Sequence, residues 1–160
     1  MVGQAFSDPN TRLCSKKAAI TRLLRHPPRG WDVYVQDEAE LSLFPTLTRM
    51  WMMRGKQRKI KAPGVRPAKR HEVAAADWRT GDIVRVRSER RSAKAFCELV
   101  EKCLTRSARR KRRVVMVLDR AQVHRPEKSK LVRALVERAG PRLKLRFLPS
   151  YSPDCNPMEL

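Results

Sequence analysis

Three acidic residues stand at positions where a folded sheet could bring them together. Asp37 directly follows the strand pattern "VYVQ", and Asp119 directly follows the apolar run "VVMVL". Glu159 lies in the first turn of a helix that the closing "NPMEL" predicts, shortly after a last strand pattern. Sites in open sheets form at the carboxyl ends of strands, so we expect the three carboxylates to approach one another.

Such a group of carboxylates predicts a site for hard divalent cations. Oxygen ligands suit Mg²⁺ or Mn²⁺, and two such ions ~4 Å apart promote phosphodiester cleavage by activating the attacking oxygen and stabilising the leaving one. Water or a nucleic-acid hydroxyl then serves as nucleophile, so no serine or cysteine is required. The alternative is that the acids pair with the abundant arginines or cap turns, and the residues alone leave both open.

The charge balance points to a polyanionic partner. The 160 residues include 37 Lys and Arg against 16 Asp and Glu, a net charge of +21. Nucleic acid is the commonest partner of so basic a chain, although a basic composition without function is the alternative. An apolar fraction of 41% argues against disorder. No run approaches the ~20 apolar residues of a membrane span, so we expect no membrane partner and a cytoplasmic location.

Cysteine and tryptophan residues are assigned structural roles. Cys14, Cys97, Cys103 and Cys155 show no metal-binding spacing and are predicted to be free thiols. Trp31, Trp51 and Trp78 are predicted to pack in the core or at turns rather than to stack on bases.

The elements that must position the acids alternate between strands and helices. An N-terminal helix is expected over 15–24, before the helix-breaking "RHPPRG". Two further helices are predicted, one capped by Ser92 and one running from Pro126 to the C-cap Gly140. The predicted strands are 33–36, 41–44, 58–61, 71–76, 83–87, "VVMVLD" and "LKLRFLP", with Gly81 in the turn of a hairpin. This order predicts an α/β fold, a mixed sheet flanked by helices.

Five segments together resemble the catalytic core of mariner-type DDE transposases of the bacterial insertion-sequence branch. They are "VYVQDEAELSLFP", "MWMMRGKQ", "ADWRTGDI", "VLDRAQVHR" and "LRFLPSYSPDCNPMEL". They occur in the family's order and span about residues 31–160. The last two are specific in combination, whereas the first alone is weak.

The resemblance implies a ribonuclease H-like fold and a metal-binding, catalytic acid triad. Asp37, Asp119 and Glu159 match its three members, which bind two Mg²⁺ or Mn²⁺ ions. The implied activity is DNA strand cleavage at transposon ends, followed by joining of the freed 3′-hydroxyl to target DNA. The implied partners are the transposon ends, the target DNA and a second copy of the chain in a homodimer. The implied location is the nucleoid of a bacterial cell.

Four other residues match supporting positions of the family. Glu38 is the second acid of its Asp-Glu pair. His124 matches the histidine after the second acid, where contact with phosphate, bracing of the site and a purely structural role all remain open. Asn156 and Pro157 match its Asn-Pro-x-Glu turn, in which the cap and the proline aim the glutamate at the aspartates.

The chain departs from the family pattern at Arg120, which stands where the family has asparagine. Its charge could pair with phosphate or point away from the site. A basic run nearby, 106–113, could also lie along DNA or form a solvated loop. The residues predicted to bind DNA are Arg109, Arg110, Lys111, Arg112, Arg113 and Arg120.

Length is the larger departure. We expect an N-terminal basic segment and linker at 1–30 and an incomplete catalytic core at 31–160. The family's helix-turn-helix modules and most of its last helix are not expected here. The sequence therefore predicts a truncated transposase with a weakly held Glu159 and low activity. The alternative is a non-catalytic, basic DNA-binding remnant, and a small structural or RNA-associated protein is disfavoured by the motif at 147–159.

Overall fold

A computed structural model describes residues 9–42, 49–56, 59 and 69–149 of the chain. Its helices and strands are α1 (Pro9–Arg25), β1 (Trp31–Ser42), β2 (Lys69–Asp77), β3 (Ile83–Ser88), α2 (Ala93–Arg109), β4 (Arg113–Leu118), α3 (Lys130–Ala139) and β5 (Leu143–Phe147). Short 3₁₀ turns cover Gln122–His124 and Gly140–Arg142.

The five strands form one mixed sheet in the order β3-β2-β1-β4-β5. β1 pairs with β2 antiparallel and with β4 parallel, and β5 continues the parallel side. The prediction of a mixed α/β sheet is therefore confirmed. β1 is the central strand, and its parallel pairing with β4 extends as far as Val35↔Val117.

Each face of the sheet is covered by a different set of helices. Helices α2 and α3 cover the face that carries Tyr34, Met116 and Leu118. The opposite face carries Val33 and Val117 and packs against Ile20 of α1. β4 is buried on both faces from Val114 to Leu118, as its continuous apolar run predicts.

The hairpin and the caps agree with the sequence in most places. β2 and β3 form the predicted hairpin, with Gly81 at φ +74° in its turn. The Ser92 side chain accepts a hydrogen bond from the Ala95 amide at the start of α2, and Gly140 caps α3. The prediction that α3 begins at Pro126 is wrong. Ser129 is the N-cap, because its hydroxyl accepts a hydrogen bond from the Val132 amide.

The interpretation of the first acidic segment as two separate extended pieces is also wrong. β1 is one strand of 12 residues that continues through Asp37 and Glu38. It does so because β2 pairs with it along that whole length, from Tyr34↔Asp77 to Ser42↔Lys69. The acids therefore lie within a strand that extends beyond its parallel neighbour.

The strand expected at 58–61 lies almost wholly outside the described residues. Cys97 and Cys103 are free thiols as predicted, and burial raises the pKa of Cys103 to about 12. Trp31 is buried and the Trp78 indole donates to the Leu24 carbonyl at 2.9 Å, but Trp51 is fully exposed, so the packing prediction is wrong for it.

No helix within 9–42, 49–56 and 69–149 is both long and apolar enough to span a membrane.

Helix α1 packs against the sheet. The division of the chain into an N-terminal segment, 1–30, and a catalytic core, 31–160, stays a prediction. Ile20 is buried against Val33 and Val115, so Ile20→Ala should lower the free energy of unfolding by about 2 kcal/mol. Urea denaturation followed by circular dichroism measures this. Thr21→Ala, at an exposed neighbour, is the control and should change it by less than about 0.5 kcal/mol. Equal stabilities of the two variants would contradict the packing of α1 on the core.

Candidate active site

Asp37 and Asp119 both lie just beyond the parallel pairing of the two central strands, Asp37 within β1 and Asp119 directly after β4. The last parallel pair of β1 and β4 is Val35↔Val117, and each acid stands two residues beyond it. The Asp37 carboxylate accepts a hydrogen bond from the Glu38 amide at 2.8 Å. The Asp119 side chain is half exposed. That these two acids act together as one site stays a prediction.

His124 links the second acid to Glu38. Its Nδ1 lies 2.7 Å from Asp119 Oδ1, and its Nε2 lies 2.8 Å from Glu38 Oε1. The ring is completely buried and packs 4.5 Å from the Phe96 ring, centroid to centroid. The imidazole is thus fixed by two carboxylates and one aromatic ring. Of the roles left open by the sequence, this geometry favours bracing.

The charges of this cluster stabilise one another. Burial by itself would lower the pKa of His124, but the hydrogen bonds with Asp119 and Glu38 outweigh it and raise that pKa. The bond with His124 lowers the pKa of Asp119, against the opposing effect of burial, and the Ala121 amide and Arg91 add to this lowering. Asp119 is therefore held as an anion and His124 favours its doubly donating, cationic form.

Arg91 completes the cluster, and the sequence did not reveal it. Its Nε pairs with Glu38 Oε2, and its Nη2 lies 3.5 Å from Asp119 Oδ2. Arg91 precedes the N-cap of α2 and carries no motif signal in so arginine-rich a chain. Its position one residue before the cap of a helix that packs on the sheet was the available clue.

The two oxygens of Asp119 have different surroundings. Oδ1 accepts from His124 and also from the Ala121 amide at 3.0 Å. Within the described residues, Oδ2 makes one long contact, with Arg91 Nη2 at 3.5 Å. Oδ1 thus holds the carboxylate in place, and Oδ2 is the oxygen available to a ligand.

The donor set at this edge fits a hard divalent cation. Asp37 and Asp119 offer oxygen only, and Mg²⁺ is commonly held by one or two carboxylates together with substrate phosphates. Within the described residues, no group of three His, Cys, Asp or Glu side chains is arranged to hold a metal ion. The third predicted ligand, Glu159, lies outside those residues, as do Asn156 and Pro157.

The basic run before β4 has a structural role that was not predicted. Arg110 Nη2 lies 2.7 Å from Asp77 Oδ2 and 3.0 Å from Asp32 Oδ2, and Arg112 Nε lies 2.6 Å from Asp32 Oδ1. Both aspartates are completely buried. The run therefore neutralises charges inside the fold, at the amino end of β4 and away from Asp119.

The other residues predicted to bind DNA are more exposed. The Arg113 guanidinium lies over the Trp31 ring, 4.3 Å from its centroid. Arg109 and Lys111 are exposed at the end of α2. Arg120 is exposed and lines a groove between α1 and β5, together with Lys16 and Arg146. For all of them, DNA binding stays a prediction.

Comparison with known proteins places this chain in a family. A model of the DDE superfamily endonuclease family matches residues 32–160. The "Insertion element IS630 uncharacterized 39 kDa protein" of Shigella sonnei is 26% identical over 144 residues, which are 90% of this chain and 40% of that protein. The chain therefore spans less than half the length of this relative.

Solved structures share the fold. A pre-cleavage Mos1 transpososome matches with a TM-score of 0.59 at 18% identity, over 99% of this chain and 50% of the Mos1 chain. The Mos1 mariner paired end complex with Mn matches with a TM-score of 0.57 at 20% identity, over 99% and 49% of the two chains. The resemblance to the mariner branch and its ribonuclease H-like fold is confirmed. The family model covers most of the chain, which thus belongs to the DDE superfamily endonuclease family.

Proposed function

We propose that this chain is the catalytic core of a DNA transposase that cleaves DNA strands and joins a 3′-hydroxyl to target DNA. The observation that carries the proposal is the position of Asp37 and Asp119, each two residues beyond the last parallel pair Val35↔Val117, in a chain of the DDE endonuclease family. The insertion-element relative supports transposition as the process.

Divalent cations are part of this proposal. Asp37 and Asp119 would hold them, with Glu159 as the third ligand and two Mg²⁺ or Mn²⁺ ions in all. Structures of Mos1 paired end complexes with Mn and with Mg support the choice of metal. When bound, such ions activate the attacking oxygen and stabilise charge on the leaving oxygen of a phosphodiester.

The residues of the chain itself supply the positioning. His124 and the Ala121 amide hold Oδ1 of Asp119, so the carboxylate keeps one orientation. The Glu38 amide does the same for Asp37. Carboxylates held in this way need little reorganisation when substrate binds, which is how preorganised charge promotes a reaction.

DNA is the proposed substrate and partner. The net charge of +21 favours a polyanion, and the similar Mos1 structures are complexes with transposon ends. Cleavage at transposon ends, a homodimer and a location at the bacterial nucleoid follow from the resemblance and stay predictions.

Nicking of a supercoiled plasmid tests the proposal. We expect the purified chain to convert supercoiled DNA to nicked circles with Mn²⁺ or Mg²⁺. Chelation with EDTA should stop the reaction, and added cation should restore it. End labelling of the nick should find a 3′-hydroxyl, because that group is needed for joining. DNA binding without any metal-dependent nicking would instead support the non-catalytic remnant.

A further inference from the structure

Arg91 is a cation beside the proposed reaction centre that no motif accounts for. It reaches Glu38 with Nε and Asp119 Oδ2 with Nη2, at 3.5 Å for the second contact. Its side chain is about half exposed, unlike the buried His124. Arg91 therefore lies at the open side of the cluster, where a substrate would approach.

Glu38 is fully occupied in anchoring this arrangement. Oε1 lies 2.8 Å from His124 Nε2, and Oε2 pairs with Arg91 Nε. Its side chain is only 11% exposed, so the pair is shielded on one side from water. Glu38 thus fixes the Nε side of the Arg91 guanidinium, whereas Nη2 lies toward Asp119.

The contact between Arg91 and Asp119 is the weak one. A distance of 3.5 Å is at the limit of a hydrogen bond, whereas His124 holds the other Asp119 oxygen at 2.7 Å. A divalent cation at Oδ2 would compete with the guanidinium for that oxygen and repel it. Arg91 would then keep its Glu38 anchor and present its Nη donors to whatever anion lies beside the cation.

We propose that Arg91 binds a phosphate oxygen of the DNA strand at the acid site, held in place by Glu38. The inference rests on the proposed function, since it takes a phosphodiester as the substrate. A planar guanidinium suits this task because its parallel N–H groups match two phosphate oxygens, which a lysine ammonium does not reproduce. Arg91 is then a substrate-contacting residue, and Glu38 is a positioning residue rather than a metal ligand.

The test compares DNA binding by the wild-type chain, Arg91→Gln and Arg91→Lys in Ca²⁺. Ca²⁺ takes the same oxygen ligands as Mg²⁺, and binding can be followed by fluorescence anisotropy without relying on cleavage. We expect Arg91→Gln to weaken binding of a short duplex roughly tenfold and to reduce the slope of log K against log[salt] by about 0.9. Arg91→Lys should keep the slope, because it keeps the positive charge. It should recover only part of the affinity, because an ammonium lacks the two parallel N–H donors of the guanidinium.

Arg138→Gln is the matched control, since Arg138 also forms an exposed pair with a glutamate, Glu101, but on α2 and α3 away from the acids. It should leave the affinity and the slope nearly unchanged, and both variants should unfold at the same urea concentration as the wild type. If Arg91→Gln binds DNA with the affinity and slope of the wild type, the inference is overturned. That result would leave the proposed function intact. The proposed function fails on a different result, namely that the wild-type chain does not nick DNA or nicks it without a metal ion.

Discussion

Asp119→Asn should reduce metal-dependent DNA nicking by at least about 100-fold, which corresponds to roughly 3 kcal/mol of transition-state stabilisation. The change is nearly isosteric, so the side-chain oxygen can still accept the hydrogen bond that the Ala121 amide donates at 3.0 Å. What is lost is the negative charge, at the oxygen that we propose to face the cation. His124 also loses one of the two carboxylates that hold it.

The measurement is the initial rate of plasmid nicking in Mn²⁺, with the free energy of unfolding determined on the same preparations. Asp82→Asn is the control, because Asp82 is an exposed aspartate that also pairs with an arginine, Arg106. Asp37→Asn should have an effect similar to Asp119→Asn, and the double variant should be little worse than either, since residues that act as a unit are not additive. Unchanged nicking by Asp119→Asn would remove this site from the reaction.

Arg110→Met should lower the free energy of unfolding by about 3–5 kcal/mol, the usual cost of removing one partner of a buried ion pair. Arg110 donates to Asp77 Oδ2 at 2.7 Å and to the Tyr34 hydroxyl at 3.2 Å. Burial alone would raise the pKa of Asp77, but the bond from Arg110 and the amide of Arg79 lower it, so the carboxylate is charged inside the fold. Without Arg110, that buried charge loses its main compensation.

Chemical denaturation measures this effect, and a neighbour provides the control. Arg109→Met removes an exposed arginine at the end of the same helix and should change stability by less than about 0.5 kcal/mol. Adding Asp77→Asn to Arg110→Met should recover part of the loss, because the unpaired carboxylate is then gone. If Arg110→Met and Arg109→Met have equal free energies of unfolding, the buried Arg110–Asp77 pair does not stabilise the fold.

The elements of this fold were largely predictable because their signals are local. The apolar run of β4, the Ser92 cap, the glycine turn of the hairpin and the C-cap at Gly140 each depend on a few neighbouring residues. The start of α3 was misplaced because Pro126 and Ser129 are both acceptable start signals, and the hydrogen bond of Ser129 decided between them. The course of β1 was misjudged because its acidic half is ordered by pairing with β2, which lies far along the chain.

The sequence by itself determined the family and most of the succession of strands and helices along the chain, and it singled out Asp37 and Asp119 as acids that follow apolar strand patterns. Motif spacing and hydrophobic period carry that information along the chain. Only the tertiary structure decided the partners of the charges. His124 meets Glu38 across 86 residues, and Arg110 meets Asp77 across 33. Among 37 basic residues, sequence cannot tell which ones are committed to buried carboxylates and which, like Arg91, stand beside the acids. Folding makes that choice, because each buried anion requires a cation within hydrogen-bonding distance.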